Sequence, residues 1–168
     1  MKRNAYIRMT DNVKAKPGLQ KLLTVVNKIA PWVFGVLFGL LVLFLGMASP
    51  MGAIRLLVVA GGGFLLVQLI TNYLEYPRPY QKFGVEPAIP EENADAHTLP
   101  CKHAYWYTII SMAFFFALAY PLRLIGVVLM ILGLGFCAVR IVGGLHFTRD
   151  VVAGLVLGVV FGLVGFLS

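Results

Sequence analysis

Charge is scarce in this chain: 12% of its 168 residues are charged, and Asp and Glu together number 7. A water-soluble surface normally needs about twice that charged fraction, so a soluble globular fold is excluded. Cysteine is nearly absent as well. Cys101 and Cys137 are too few for a disulfide framework, and Cys137 lies deep in an apolar run. Histidine occurs three times, at His97, His103 and His146, so any imidazole chemistry has few places to reside. The net charge of +7 does not indicate nucleic acid, because the basic residues form no interleaved basic and aromatic reading motif.

What is plentiful is uninterrupted apolar sequence, with 60% hydrophobic residues. Allowing about 20 residues per span, apolar helices are expected at roughly 30–48, 53–75, 101–119, 121–139 and 150–167. The expected fold is an all-α polytopic membrane bundle of about five spans. It divides into a basic tail over 1–29 and a transmembrane domain over 30–168. Lys2, Arg3, Arg8, Lys14, Lys16, Lys21 and Lys28 precede the first run, and the polar length before that run argues against a cleavable signal peptide. Leu19, Leu22, Leu23, Val26 and Ile29 recur at helical spacing. That stretch either lies flat in the interface or extends the first span.

Ser49-Pro50-Met51-Gly52 and Tyr120-Pro121 punctuate short turns, whereas the segment from Pro77 to Leu99 is long and polar. The long segment, with Glu86, Glu91, Glu92 and Asp95, reads as a solvated connector, with a lid as the alternative. Gly154, Gly158 and Gly162 share one helix face. Close packing within the chain is the favoured use of that stripe, and a homodimer interface is the other.

Ionisable groups at membrane boundaries are costly unless partnered, which makes their positions informative. Arg78 ends the second span, Lys102 and His103 begin the third, Arg140 ends the fourth, and His146 and Asp150 lead into the fifth. Antiparallel helices bring those ends to one face. His146 and Asp150 stand four apart, so on a common helix the carboxylate would bind one ring nitrogen and leave the other free to attack. Gly143-Gly144 allows the chain to turn and aim the Arg140 guanidinium, whose donor fork suits phosphate, at the same point. Thr98-Leu99-Pro100 reads as a helix start with Thr98 as cap, placing Cys101, Lys102 and His103 in a first turn that favours an anion. His97 reads as an interfacial residue, and the tyrosines and tryptophans near span ends as aromatic belts.

These residues resemble the type 2 phosphatidic acid phosphatases, a membrane branch of the acid phosphatase and vanadium haloperoxidase group. The resemblance rests on Arg78-Pro79, on Pro100-Cys101-Lys102-His103, and on Arg140 followed by His146 and Asp150 at the family spacing. It implies a lipid phosphate phosphatase needing no metal or other cofactor. His146 would be the nucleophile, Asp150 its orienting carboxylate and His103 the acid for the leaving group. Arg78, Arg140, Lys102 and Cys101 would bind the substrate phosphate. The implied partners are a lipid phosphate and the surrounding membrane lipids, not nucleic acid.

The chain departs from the family pattern in three places. Thr71 or Asn72 stands where the family has a lysine, Cys101 where it has a serine, and Ala138-Val139 where a serine precedes the arginine. A noncatalytic lipid-phosphate binder therefore stands as the alternative function. A channel or transporter is set aside because no internal repeat is visible.

All Lys and Arg residues except Arg55 and Arg123 fall on the side shared by the N-terminus and the motifs. The positive-inside rule then puts both on the cytoplasmic face of a cell membrane, a bacterial inner membrane by the resemblance. Relatives that recycle undecaprenyl pyrophosphate act on the outer face, so a cytoplasmic site points instead to a phospholipid precursor such as phosphatidylglycerol phosphate.

Overall fold

Proline sets the boundaries of several helices, because it fits the first turn of a helix but cannot continue one. In the computed structural model, which describes residues 2–90 and 97–167, α1 spans Arg3–Lys14 and α2 Pro17–Ala48. Ser49 caps α3 (Pro50–Leu74), its hydroxyl accepting from Gly52 N at 3.3 Å. Then follow α4 (Pro79–Phe83), α5 (Lys102–Ala117), α6 (Leu124–Val142) and α7 (Thr148–Leu167). No strand forms among the described residues, and one isolated bridge pairs Pro77 with His97. Both X-Pro bonds Leu99–Pro100 and Tyr120–Pro121 are cis.

The molecule is an all-α membrane bundle. Four helices, α2, α3, α6 and α7, are long and apolar enough to cross a bilayer, and their outward faces carry exposed side chains such as Leu43, Val58, Ile131 and Val164. The third expected span differs. At 16 residues, α5 measures about 24 Å, short of the roughly 30 Å hydrocarbon core. It runs through the middle of the bundle instead, with Tyr105, Ile109, Ile110 and Ala113 fully buried. Its Thr108 and Ser111 hydroxyls donate to the Ala104 and Tyr107 carbonyls of the same helix, so these two buried hydroxyls do not go unpaired.

The glycine stripe of α7 explains how α5 fits. Gly154 lies against the Cys101 carbonyl and Ala104, Gly158 against Thr108, and Gly162 against Met112. All three glycines are buried. The stripe is therefore taken up by packing within the chain.

Of the two readings of the stretch from Leu19 to Ile29, the helix favours extension of the first span, because α2 continues from Pro17 through Pro31 without a break. The basic tail also carries α1. It packs through Tyr6, Thr10 and Val13. Burial pushes the Tyr6 phenol up to about 12, so it stays protonated and donates to the Gly144 carbonyl at 3.2 Å.

The long polar segment is not a free connector over its described part. Ala88 N donates to the Gly143 carbonyl at 2.9 Å, Gln20 Nε2 to the Ala88 carbonyl at 2.7 Å, and Lys14 Nζ to the Glu86 carbonyl at 3.0 Å. Glu91, Glu92 and Asp95, which carried the connector reading, lie outside the described residues. At the opposite end of the bundle, Arg55 at the start of α3 donates to the Gly165 carbonyl near the end of α7 at 2.6 Å.

Candidate active site

At the end of the bundle that holds α1, the last turn of α6 must reverse into α7. Gly143 and Gly144 make that reversal, Gly144 with φ 83°, a left-handed backbone that a side chain would strain. The Leu145 amide closes the turn onto the Arg140 carbonyl at 3.0 Å. The turn brings Arg140 Nη2 to 3.2 Å from His146 Nε2. Both residues are buried, as is Arg78.

His146 is not on the last helix. It precedes α7, which begins at Thr148, so the expected stacking of His146 and Asp150 on one helical face does not occur. The Thr98 hydroxyl stands between them. Its Oγ lies 2.8 Å from His146 Nδ1 and 2.8 Å from Asp150 Oδ2. Asp150 is fully buried and also accepts from Phe147 N at 3.0 Å and from Arg149 Nε at 3.3 Å. Thr98 therefore does not cap the third span. Cys101 occupies the N-cap position of α5, and the Thr98 side chain is spent on the histidine and the carboxylate.

The segment bearing Thr98 is held by pairing with the strand-like stretch before α4. Thr98 N donates to the Tyr76 carbonyl at 3.0 Å, next to the Pro77–His97 bridge. This brings Arg78, the residue before α4, and Thr98 onto the wall of one cavity. The Arg78 backbone N–H is satisfied by Gln81 Oε1 at 3.0 Å.

A cavity of about 840 Å³ opens at this point, and its lining includes Arg78, Lys102, His103, Arg140 and His146. Thus the two imidazoles face one space, together with three of the four expected phosphate ligands. Cys101 is not among the lining residues and its thiol is fully buried. Asp150 stands behind His146 rather than on the wall. Lys102 Nζ donates to Gln68 Oε1 of α3 at 2.9 Å. One turn along α3, the Thr71 hydroxyl donates to the Val67 and Pro100 carbonyls. Towards the lipid, the same cavity is walled by Pro31, Trp32, Gly61, Phe64 and Trp106.

His146 lies outside the membrane-spanning helices, and its pKa is held well below the usual value, first by burial and then by the charges of Arg140, Arg78 and His103. The ring is therefore neutral at pH 7. No group of three or more His, Cys, Asp or Glu side chains among the described residues is placed to hold a metal ion.

Several wall residues escaped the sequence reading. Asn27 and Lys28 come from α2, and Asn27 Oδ1 accepts from Arg140 Nη1 at 2.9 Å. His97, read as interfacial, also lines the cavity, and its buried Nδ1 makes no hydrogen bond among the described residues. The helical spacing Thr24, Asn27, Lys28, Pro31 could have marked this inward face of α2.

No curated protein matches the chain. A crystal structure described as the first transmembrane PAP2 type phosphatidylglycerolphosphate phosphatase, from Bacillus subtilis, has the same fold. It superposes with a TM-score of 0.74 at 15% identity, over 96% of this chain and 83% of that one. The PAP2 superfamily model matches residues 52–168, which include nearly all of α3 and every expected site residue, and the chain belongs to that superfamily.

Proposed function

We propose that this protein is an integral membrane lipid phosphate phosphatase that works through a phosphohistidine at His146. The observation that carries the reading is the meeting of His146, His103, Arg78, Arg140 and Lys102 on one cavity that continues between apolar walls. A polar head and a hydrocarbon tail fit such a space together.

In the first step His146 Nε2 attacks phosphorus, and a nitrogen–phosphorus bond forms as the bond to the lipid oxygen breaks. His103 gives its proton to that oxygen, releasing the lipid alcohol. In the second step His103 takes a proton from water, whose oxygen attacks phosphorus and frees His146 with inorganic phosphate. Arg78 and Arg140 hold the non-bridging oxygens as charge builds on them.

Lys102 supplies the charge that Thr71 does not. Its ammonium is tethered to Gln68, three residues before Thr71 on α3, so it reaches the region served by the family lysine. Cys101 drops out of the ligand set because its thiol is off the wall.

The substrate class is a glycerolipid or isoprenyl phosphate or diphosphate. Positive-inside charge supports a site facing the cytoplasm of a bacterial cell, where a glycerophospholipid precursor is available. The structural relative described as a phosphatidylglycerolphosphate phosphatase supports the same choice.

A second reading, a lipid-phosphate binder without turnover, draws on Thr71 and Cys101, both engaged away from the cavity. Purified protein offered a panel of lipid mono- and diphosphates decides between them. Phosphate release abolished by His146→Ala is the expected result. Binding without release would establish the second reading, and release undiminished by the substitution would remove His146 as nucleophile.

A further inference from the structure

The geometry points to Thr98 as a positioning residue: its hydroxyl links Asp150 to His146 and fixes the ring tautomer that presents the Nε2 lone pair to the cavity. The argument counts protons. A threonine hydroxyl has one proton to donate and two lone pairs to accept with. Thr98 Oγ stands 2.8 Å from Asp150 Oδ2 and 2.8 Å from His146 Nδ1. A carboxylate only accepts, so the hydroxyl proton goes to Asp150. The remaining contact then requires Nδ1 to carry hydrogen and donate to Oγ.

The other side of the ring gives the same answer independently. Arg140 Nη2, 3.2 Å from Nε2, can only donate, so Nε2 must accept. Two partners on opposite sides of the imidazole therefore demand one tautomer. Thr98 is 1% exposed and Asp150 0%, so water does not compete for these contacts, and low local polarity strengthens them. Backbone bonds hold the link in place: Thr98 N on the Tyr76 carbonyl at 3.0 Å, and Cys101 N on the Asp150 carbonyl at 2.9 Å.

For chemistry, the link passes the influence of Asp150 to the ring without direct contact. As Nε2 bonds to phosphorus, positive charge spreads to Nδ1–H. The Thr98 oxygen, itself polarised by donating to Asp150, stabilises that charge. No proton need leave the ring. This catalytic consequence rests on the phosphatase reading, whereas the tautomer does not.

The test uses the full-length protein in lipid nanodiscs with 15N-labelled histidine, the His146 signals being assigned by their loss in His146→Gln. Wild type is expected to show Nδ1 protonated and Nε2 bare at neutral pH. Thr98→Ser should keep that pattern, and Thr98→Val, in which Arg140 alone still favours it, should show a mixture of the two tautomers. A wild-type ring protonated at Nε2 overturns the proposal whether or not any variant folds.

The kinetic arm measures phosphate release from a phosphomonoester lipid. Loss of the correct tautomer in a related arrangement costs about 10⁴ in kcat. Because Thr98 acts at one remove, Thr98→Val should lower kcat on the order of 10²-fold with KM nearly unchanged, and Thr98→Ser should restore it. Wild-type kcat in a folded Thr98→Val protein overturns the positioning role. Release that survives His146→Gln removes His146 as nucleophile instead, absence of release from wild type overturns the phosphatase reading, and either leaves the tautomer to be judged by the nitrogen signals.

Discussion

Asn27 Oδ1 accepts a hydrogen bond from Arg140 Nη1 at 2.9 Å, tying the second helix to the guanidinium that faces His146. The contact joins residues 113 positions apart. It also joins a residue outside the family-matched region to one inside it. Hydrogen bonds to charged groups contribute about 1.5–3 kcal/mol. Asn27→Ala should therefore lower kcat/KM for phosphate release by roughly 10- to 100-fold, while Asn27→Asp, which keeps an acceptor, should lose less. Equal kinetics for Asn27→Ala and wild type would show that Arg140 is held by other contacts alone.

The depressed pKa of His146 has consequences for stability as well as for reactivity. A histidine whose folded pKa lies below its usual 6.5 takes up protons more readily when unfolded. Stability therefore falls as pH drops below the unfolded value and continues to fall until the folded pKa is reached. The thermal midpoint in detergent should decline from about pH 7.5 to about pH 5, and His146→Gln should flatten part of that decline. The acid limb of kcat/KM assigned to His146 in the free enzyme should lie well below 6.5. An acid limb at the ordinary histidine value would mean that the ring is solvated in working protein.

What the sequence revealed, and what it did not, follows from distance along the chain. Arg140, His146 and Asp150 lie within one short segment, so their spacing alone carried a chemical meaning. Their geometry was still misjudged, since the gap between ring and carboxylate is bridged by Thr98, 48 residues before His146. Asn27 was hidden for the same reason, and no local rule announces a contact across the whole bundle. The apolar runs located the helices but not their surroundings. The run containing α5 looks like a lipid-facing span, yet α5 is enclosed by its neighbours. His97 carried no neighbouring motif, so its place on the cavity wall had no local signal.

Lys102 is the residue on which recovery of the missing motif charge depends. Removing one preorganised donor from a transition-state site costs about 2.7–4 kcal/mol, or 10² to 10³ in kcat. Lys102→Ala should show a loss of roughly that size. Thr71→Lys, introduced into the Lys102→Ala background, should recover part of it by restoring a cation from α3. Gln68→Leu, which removes only the tether at 2.9 Å, should have a smaller effect, about 10-fold or less. Unchanged turnover in Lys102→Ala would assign the phosphate to Arg78 and Arg140 alone.

The glycine stripe supplies a test of the packing that aligns these residues. Gly158 faces Thr108 so closely that an added β-carbon would overlap the Thr108 side chain. Gly158→Val must therefore push α7 away from α5. Overpacking of this kind costs about 1–3 kcal/mol, and it should lower the thermal midpoint in detergent. Because α7 begins just after His146 and holds Asp150, the displacement should also reduce phosphate release. Gly135, on α6, has open space around its β-position, so Gly135→Val provides a control with a valine added at no packing cost. If the stripe instead joined two chains, Gly158→Val would shift the oligomeric state on size-exclusion chromatography and leave the stability of the single chain intact. The burial of all three glycines against α5 predicts the first outcome.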